Sequence, residues 1–250
     1  MGKKLLGVTV ATAVLALSGC DGKKGDECIA MLAATNVDVP ALKAAAAAKP
    51  ASGAKELPAA LRAIAGAADK LALDVSKKGP TTAEIQKASS EYQALATAVA
   101  TSARDYADTL DHLAPVAAKA RPELAEPGLK SLTAAHDAVK QRCANHPVFE
   151  CKAITSLTES LTTNLEKPEA LRKLDLDLGK VKVKDATLVP LIATLRGSIS
   201  SVAQTLRDVT NASVEVNATE EKIKTVSGAL DAALAKEAPV TASLNAFCGK

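Results

Sequence analysis

The longest uninterrupted pattern in the chain is the stripe Leu188, Ile192, Leu195, Ile199, Val202, Leu206 and Val209, apolar side chains recurring at alternating steps of four and three. That spacing puts them on one face of a long amphipathic helix, with Asp185 ahead of it as an N-cap. A second seam runs Ile85, Ala88, Tyr92, Leu95, Val99, Ala103, Tyr106, Leu110 and Leu113. It opens after the breaker Gly79-Pro80 with Thr81-Thr82-Ala83-Glu84, a capping-box sequence, and Pro115 should kink or end it. Shorter stripes at Leu57 to Leu71, Leu129 to Val139, Ile154 to Leu165 and Ile223 to Leu234 predict further helices. They are separated by Arg121-Pro122, Glu126-Pro127 and Asn145-His146-Pro147, and Asn211 to Thr219 weakens the last before a new cap at Asn217. Cys28 to Val37 has room for one or two turns before Pro40. One stretch differs: Leu174 to Lys184 alternates apolar with polar, the strand period, yet no second alternating run exists to pair with it. It reads as an extended connector with Leu174, Leu176 and Leu178 on its buried side. The whole is all-α, with long heptad-like helices and antiparallel neighbours.

The pattern occurs twice. A gapless shift of 103 lays Leu71–Tyr106 on Leu174–Val209 with nine of 36 positions identical: Leu71/Leu174, Leu73/Leu176, Asp74/Asp177, Lys77/Lys180, Ala83/Ala186, Val99/Val202, Ala100/Ala203, Arg104/Arg207 and Asp105/Asp208. Only two of these are alanine, so composition does not explain them, and an internal duplication does. Two tandem bundles are expected, residues 28–146 and 147–250, each folding alone. Arg104/Asp105 and Arg207/Asp208 are expected to be solvent-side ion pairs.

Lys3-Lys4, an apolar run from Leu5 to Leu17, and Leu17-Ser18-Gly19-Cys20 form an export signal too short to span a bilayer permanently. Its end resembles the lipobox of bacterial lipoproteins. The resemblance implies cleavage after residue 19, a diacylglycerol on the Cys20 thiol, residues 20–27 as a tether, and an envelope location facing the periplasm, outer membrane preferred over inner. Residues 151–248 also resemble small helical bacterial lipoproteins that begin with a Cys on the first helix and end in an Asn-x-Phe-Cys-like segment, here Asn245-Ala246-Phe247-Cys248. No activity follows from that likeness.

Loss of residues 1–19 would leave 29 basic and 28 acidic residues, a formal +1. With that balance, no Trp, two Tyr and two Phe, the chain has neither an electrostatic footprint nor stacking platforms for nucleic acid. Once Cys20 is set aside, four cysteines remain in an oxidising compartment, and two disulfides are expected. Composition allows three pairings. Cys143 lies 37 residues after Tyr106 and Cys248 lies 39 after Val209, so the duplication favours Cys28–Cys143 and Cys151–Cys248, one per copy. Sequence proximity favours instead Cys143–Cys151 with Cys28–Cys248.

The three histidines lack the glutamate spacing of a di-iron bundle, and no nucleophile elbow, zinc-protease or phosphate-loop motif is present. Cys143, His146 and Cys151 have ligand-like spacing, but disulfides are the better use of both thiols, and no metal, cofactor or catalytic residue is assigned. The expected role is a non-enzymatic interaction or structural module, held to the membrane by its lipid and facing an envelope protein of unknown identity. The alternative is a carrier of a small apolar ligand in a cleft between Ala-lined helices.

Overall fold

The computed structural model describes residues 22–51 and 55–249, and among them every regular element is helical: α1 (Gly22–Ala47), α2 (Leu57–Ser76), α3 (Ala83–Lys119), α4 (Glu126–Asn145), α5 (Phe149–Thr158), α6 (Pro168–Lys180), α7 (Leu188–Ala235) and α8 (Glu237–Cys248), with a 3-10 turn at Pro122–Ala125. The all-α expectation holds. The signal segment and Cys20 lie outside the described residues.

Several boundaries differ from the sequence reading. The expected tether is largely helical, since α1 starts at Gly22 and runs on through Pro40. Its end nearest the export signal is held because Glu27 is used structurally: its carboxylate accepts hydrogen bonds from the Thr81 and Thr82 amides, both at 2.9 Å, and from the Thr81 hydroxyl at 2.6 Å. The start of α3 is therefore capped by a carboxylate from another helix rather than by Glu84. Pro115 sits inside α3 without ending it. The helix does not break at Asn211–Thr219 either. There Thr210, Ser213 and Thr219 return their hydroxyls to carbonyls four residues back, at 2.8–2.9 Å, instead of competing for the backbone.

The expected connector is a helix. In α6, Leu171, Leu174 and Leu178 are buried at helical spacing, while Leu176 is 64% exposed. Once Leu171 is counted the same leucines fit the period of 3.6, and a helix satisfies its own backbone where an unpaired strand could not.

The chain forms two compact units, one from Met1–Thr109 with Ile223–Lys250, the other from Leu110–Lys222. Each holds one complete copy of the repeat, but the units are not tandem. The first combines α1, α2 and the early part of α3 with the end of α7 and α8. The second combines the end of α3, α4, α5 and α6 with the early part of α7. Each copy thus contributes its C-terminal portion to the unit built around the other copy. The expected division between residues 146 and 147 falls inside the second unit. Periodicity shows which face of a helix is apolar, not which partner covers it.

The disulfides follow this exchange. They join Cys28 to Cys248 in the first unit and Cys143 to Cys151 in the second, each with Cα atoms 5.5 Å apart. The expected Cys28–Cys143 and Cys151–Cys248 pairs are absent, because the leading helix of each copy closes on the trailing helix of the other. The duplication also reaches further back than the gapless match. Glu27-Cys28-x-Ala30-x4-Thr35 recurs as Glu150-Cys151-x-Ala153-x4-Thr158. As Glu27 accepts from the Thr81 amide, Glu150 accepts from the Lys184 amide at 3.1 Å, and Thr81 and Lys184 are repeat equivalents.

Equivalent positions behave alike. Leu71 and Leu174, Ile85 and Leu188, Val99 and Val202, and Ala100 and Ala203 are all buried. Lys77 reaches Asp74 at 3.2 Å and Lys180 reaches Asp177 at 2.7 Å, each lysine helping to hold its carboxyl below the usual range, after Lys70 in the case of Asp74. Arg104 bonds Asp69 on α2, and Arg207 bonds Glu169 on α6 at 2.6 Å. These arginines form partly exposed pairs with acids on a neighbouring helix, not with the adjacent Asp105 and Asp208 that the sequence groups them with.

Candidate functional site

In the second unit, α4 and α5 run away from the turn at residues 146–148, pinned there by Cys143–Cys151. Asp185 fixes the neighbourhood. It caps α7 by accepting from the Leu188 amide at 2.8 Å and the Thr187 amide at 3.0 Å, as expected for an N-cap, and pairs with Arg142 at 2.7 Å. The Thr187 hydroxyl foremost, then the Leu188 amide and Arg142, lower its pKa, against a smaller desolvation penalty. Arg142 in turn donates to the His146 carbonyl at 2.7 Å, closing the C-terminus of α4.

Between the diverging helices lies an open cleft of about 720 Å³. One wall carries His136, Val139, Lys140, Cys143 and Ala144 of α4, and the other carries Cys151, Lys152, Thr155, Ser156 and Thr158 of α5, with Glu159 and Thr162 beyond it. The disulfide forms the narrow end. Phe149 precedes Lys152, Ser156 and Glu159 at helical spacing on the same stripe, and it is 94% exposed. It is one of two phenylalanines in a chain without tryptophan. Neither Lys140 nor Lys152 has an acidic side chain within 4.0 Å among the described residues.

The first unit holds a polar cluster around buried Glu237. Glu237, 6% exposed, pairs with Lys43 at 2.8 Å and accepts the Thr241 hydroxyl at 2.5 Å. With that proton committed, the Tyr92 hydroxyl donates to Thr241 Oγ1 at 2.8 Å. Burial raises the Tyr92 pKa, the Glu237 charge adds to this, and the Thr241 bond opposes it. Buried Asp38 bonds Lys70, which also reaches Asp74 at 2.8 Å. No buried side-chain polar atom lacks a partner among the described residues, so this cluster is a closed network.

Of the residues singled out from sequence, Cys143 and Cys151 are joined to each other and cannot serve as thiolate ligands, and His146 lies in the turn after α4. His112 pairs with Glu215 at 2.9 Å. No group of three His, Cys, Asp or Glu side chains suited to a metal ion occurs among the described residues. Sequence reasoning passed over Lys140, Lys152 and Phe149. The signal for them was an outward stripe shared with the Cys143–Cys151 pair, legible only once that pairing is known. Compared with protein-family models, with curated proteins and with solved structures, the chain matches none.

Proposed function

We propose that this protein is a lipid-anchored, non-catalytic interaction module of the bacterial envelope, held at the membrane through Cys20 and presenting its helical units on the periplasmic side. The observation that carries the reading is the α4–α5 cleft with Phe149 beside its narrow end. Large aromatic side chains are over-represented among the residues that carry binding energy at protein interfaces. The helix α1 is long and apolar enough to cross a membrane, but it commits Cys28, Met31 and Leu42 to the core of the first unit, which favours lipid anchoring over spanning. The cleft is open to solvent and mixes Lys140, Lys152 and threonine hydroxyls with Val139, Ala144 and the disulfide, so it does not enclose an apolar guest. The carrier reading gains no support from it.

A photo-crosslinker placed at position 149 in native envelope tests the reading. It should trap one discrete protein, while the same label at exposed Lys130 should not. Equal or absent crosslinking at both positions would count against an interaction module. Separately, Cys20→Ala should release the protein from the membrane fraction or leave it unprocessed. Unchanged processing and detergent extraction would remove the lipid anchor from the account.

A further inference from the structure

We infer that the α4–α5 cleft receives an acidic, extended peptide segment of the partner protein. This rests on the interaction-module reading and deepens it. The two cations nearest the narrow end, Lys140 three residues before Cys143 and Lys152 directly after Cys151, stand on opposite walls. Each presents an ammonium group with no carboxylate beside it among the described residues, whereas the acid lining the cleft, Glu159, lies at the far end. A carboxylate entering the narrow end therefore meets two uncompensated charges, and the disulfide keeps those walls at fixed separation.

The seven helical steps from His136 to Cys143 give roughly 10 Å of wall, room for about three extended residues. Thr155, Ser156 and Thr162 add hydroxyls able to donate to or accept from an extended backbone. Phe149, past the lysines, provides an apolar anchor for a side chain adjoining the acidic stretch. The site thus asks for acidic residues flanked by a large apolar one.

The test uses the full-length protein in detergent and a labelled peptide of Glu and Leu about six residues long, with the Lys-for-Glu peptide as control, read by fluorescence anisotropy at physiological salt. The acidic peptide should bind and the basic one should not. The exposed-site double variant Lys140→Glu/Lys152→Glu should weaken binding roughly tenfold or more with an unchanged melt. Lys130→Glu/Lys173→Glu, the same charge change outside the cleft, should leave it within about twofold. Equal binding of both peptides, no binding of the acidic one, or equal loss in the two double variants would each overturn the inference. If crosslinking from position 149 persists in the Lys140→Glu/Lys152→Glu protein, the module reading stands while the acidic-segment inference falls.

Discussion

The two units are built to one plan and closed by different chemistry. In each, a leading helix with a Glu-Cys start, a helical hairpin and a trailing helix from the other copy form the core. Counting back from the trailing cysteines, Glu237 of the first unit corresponds to fully buried Leu132 of the second, and by the repeat register Tyr92 corresponds to fully buried Leu195. The second unit is therefore sealed by apolar packing in one cluster, the first by Lys43, Glu237, Thr241 and Tyr92. Buried ion pairs seldom add much net stability, but they penalise a wrong partner heavily. The difference gives the chain a means of deciding which trailing helix enters which unit: α8 carries the acid and hydroxyl that meet Lys43 and Tyr92, where α4 has Leu132 and His136 at the corresponding positions.

That comparison can be broken most severely by separating the copies. Because each unit takes segments from both halves, fragments 21–146 and 147–250 alone should lack cooperative melts, and mixing them should restore one. A cooperative melt for either half alone would contradict the exchange. Next in size are the disulfides. Loop entropy assigns about 5 kcal/mol to Cys28–Cys248, which closes a separation of 220, and about 2.5 kcal/mol to Cys143–Cys151, with a separation of 8. Denaturation of the two paired Cys→Ala variants should reproduce that order.

A smaller effect is expected at the polar closure. Glu237→Ala should cost roughly 2 kcal/mol, since it leaves the Thr241 hydroxyl and Lys43 without their acceptor in a nearly buried site, discounted because Lys43 is half exposed. Tyr92→Leu combined with Glu237→Leu, which places the second unit's leucines at both positions, and with Thr241→Ala, which removes the orphaned hydroxyl, should recover much of that loss. The smallest effect concerns acid. Hydrogen bonds from Thr81 foremost, and from Thr82, hold the Glu27 carboxyl at about 2, against 4.5 ordinarily. A depressed carboxyl stabilises the fold above its unfolded pKa, and the contribution disappears as pH falls from about 4.5 towards 2. Glu27→Gln should flatten the acid dependence of the melt within that window. An unaltered profile would mean that this cap does not couple to folding.

Much of the fold was legible because burial imposes a period. The seams on α3 and α7 and the N-cap at Asp185 follow from spacing and short-range chemistry. What was illegible depends on distant partners. Leu174 and Leu178 fit the strand period through Leu176 and the helical period without it, until Leu171 breaks the tie. Glu84 competed for a cap with Glu27, more than fifty residues earlier. The cysteine pairing failed for the same reason: equal spacing within copies is preserved whether a trailing helix folds back on its own copy or on its neighbour. The cleft went unread because its walls meet only through that pairing.

Peptide mapping of the unreduced protein tests the exchange most directly. Proteolysis should yield one disulfide-linked peptide pair containing Cys28 and Cys248, and a second species joining Cys143 to Cys151. Fragments joining Cys28 to Cys143 or Cys151 to Cys248 would show that each copy closes on itself, and would contradict the exchange of trailing helices on which the account of both units depends.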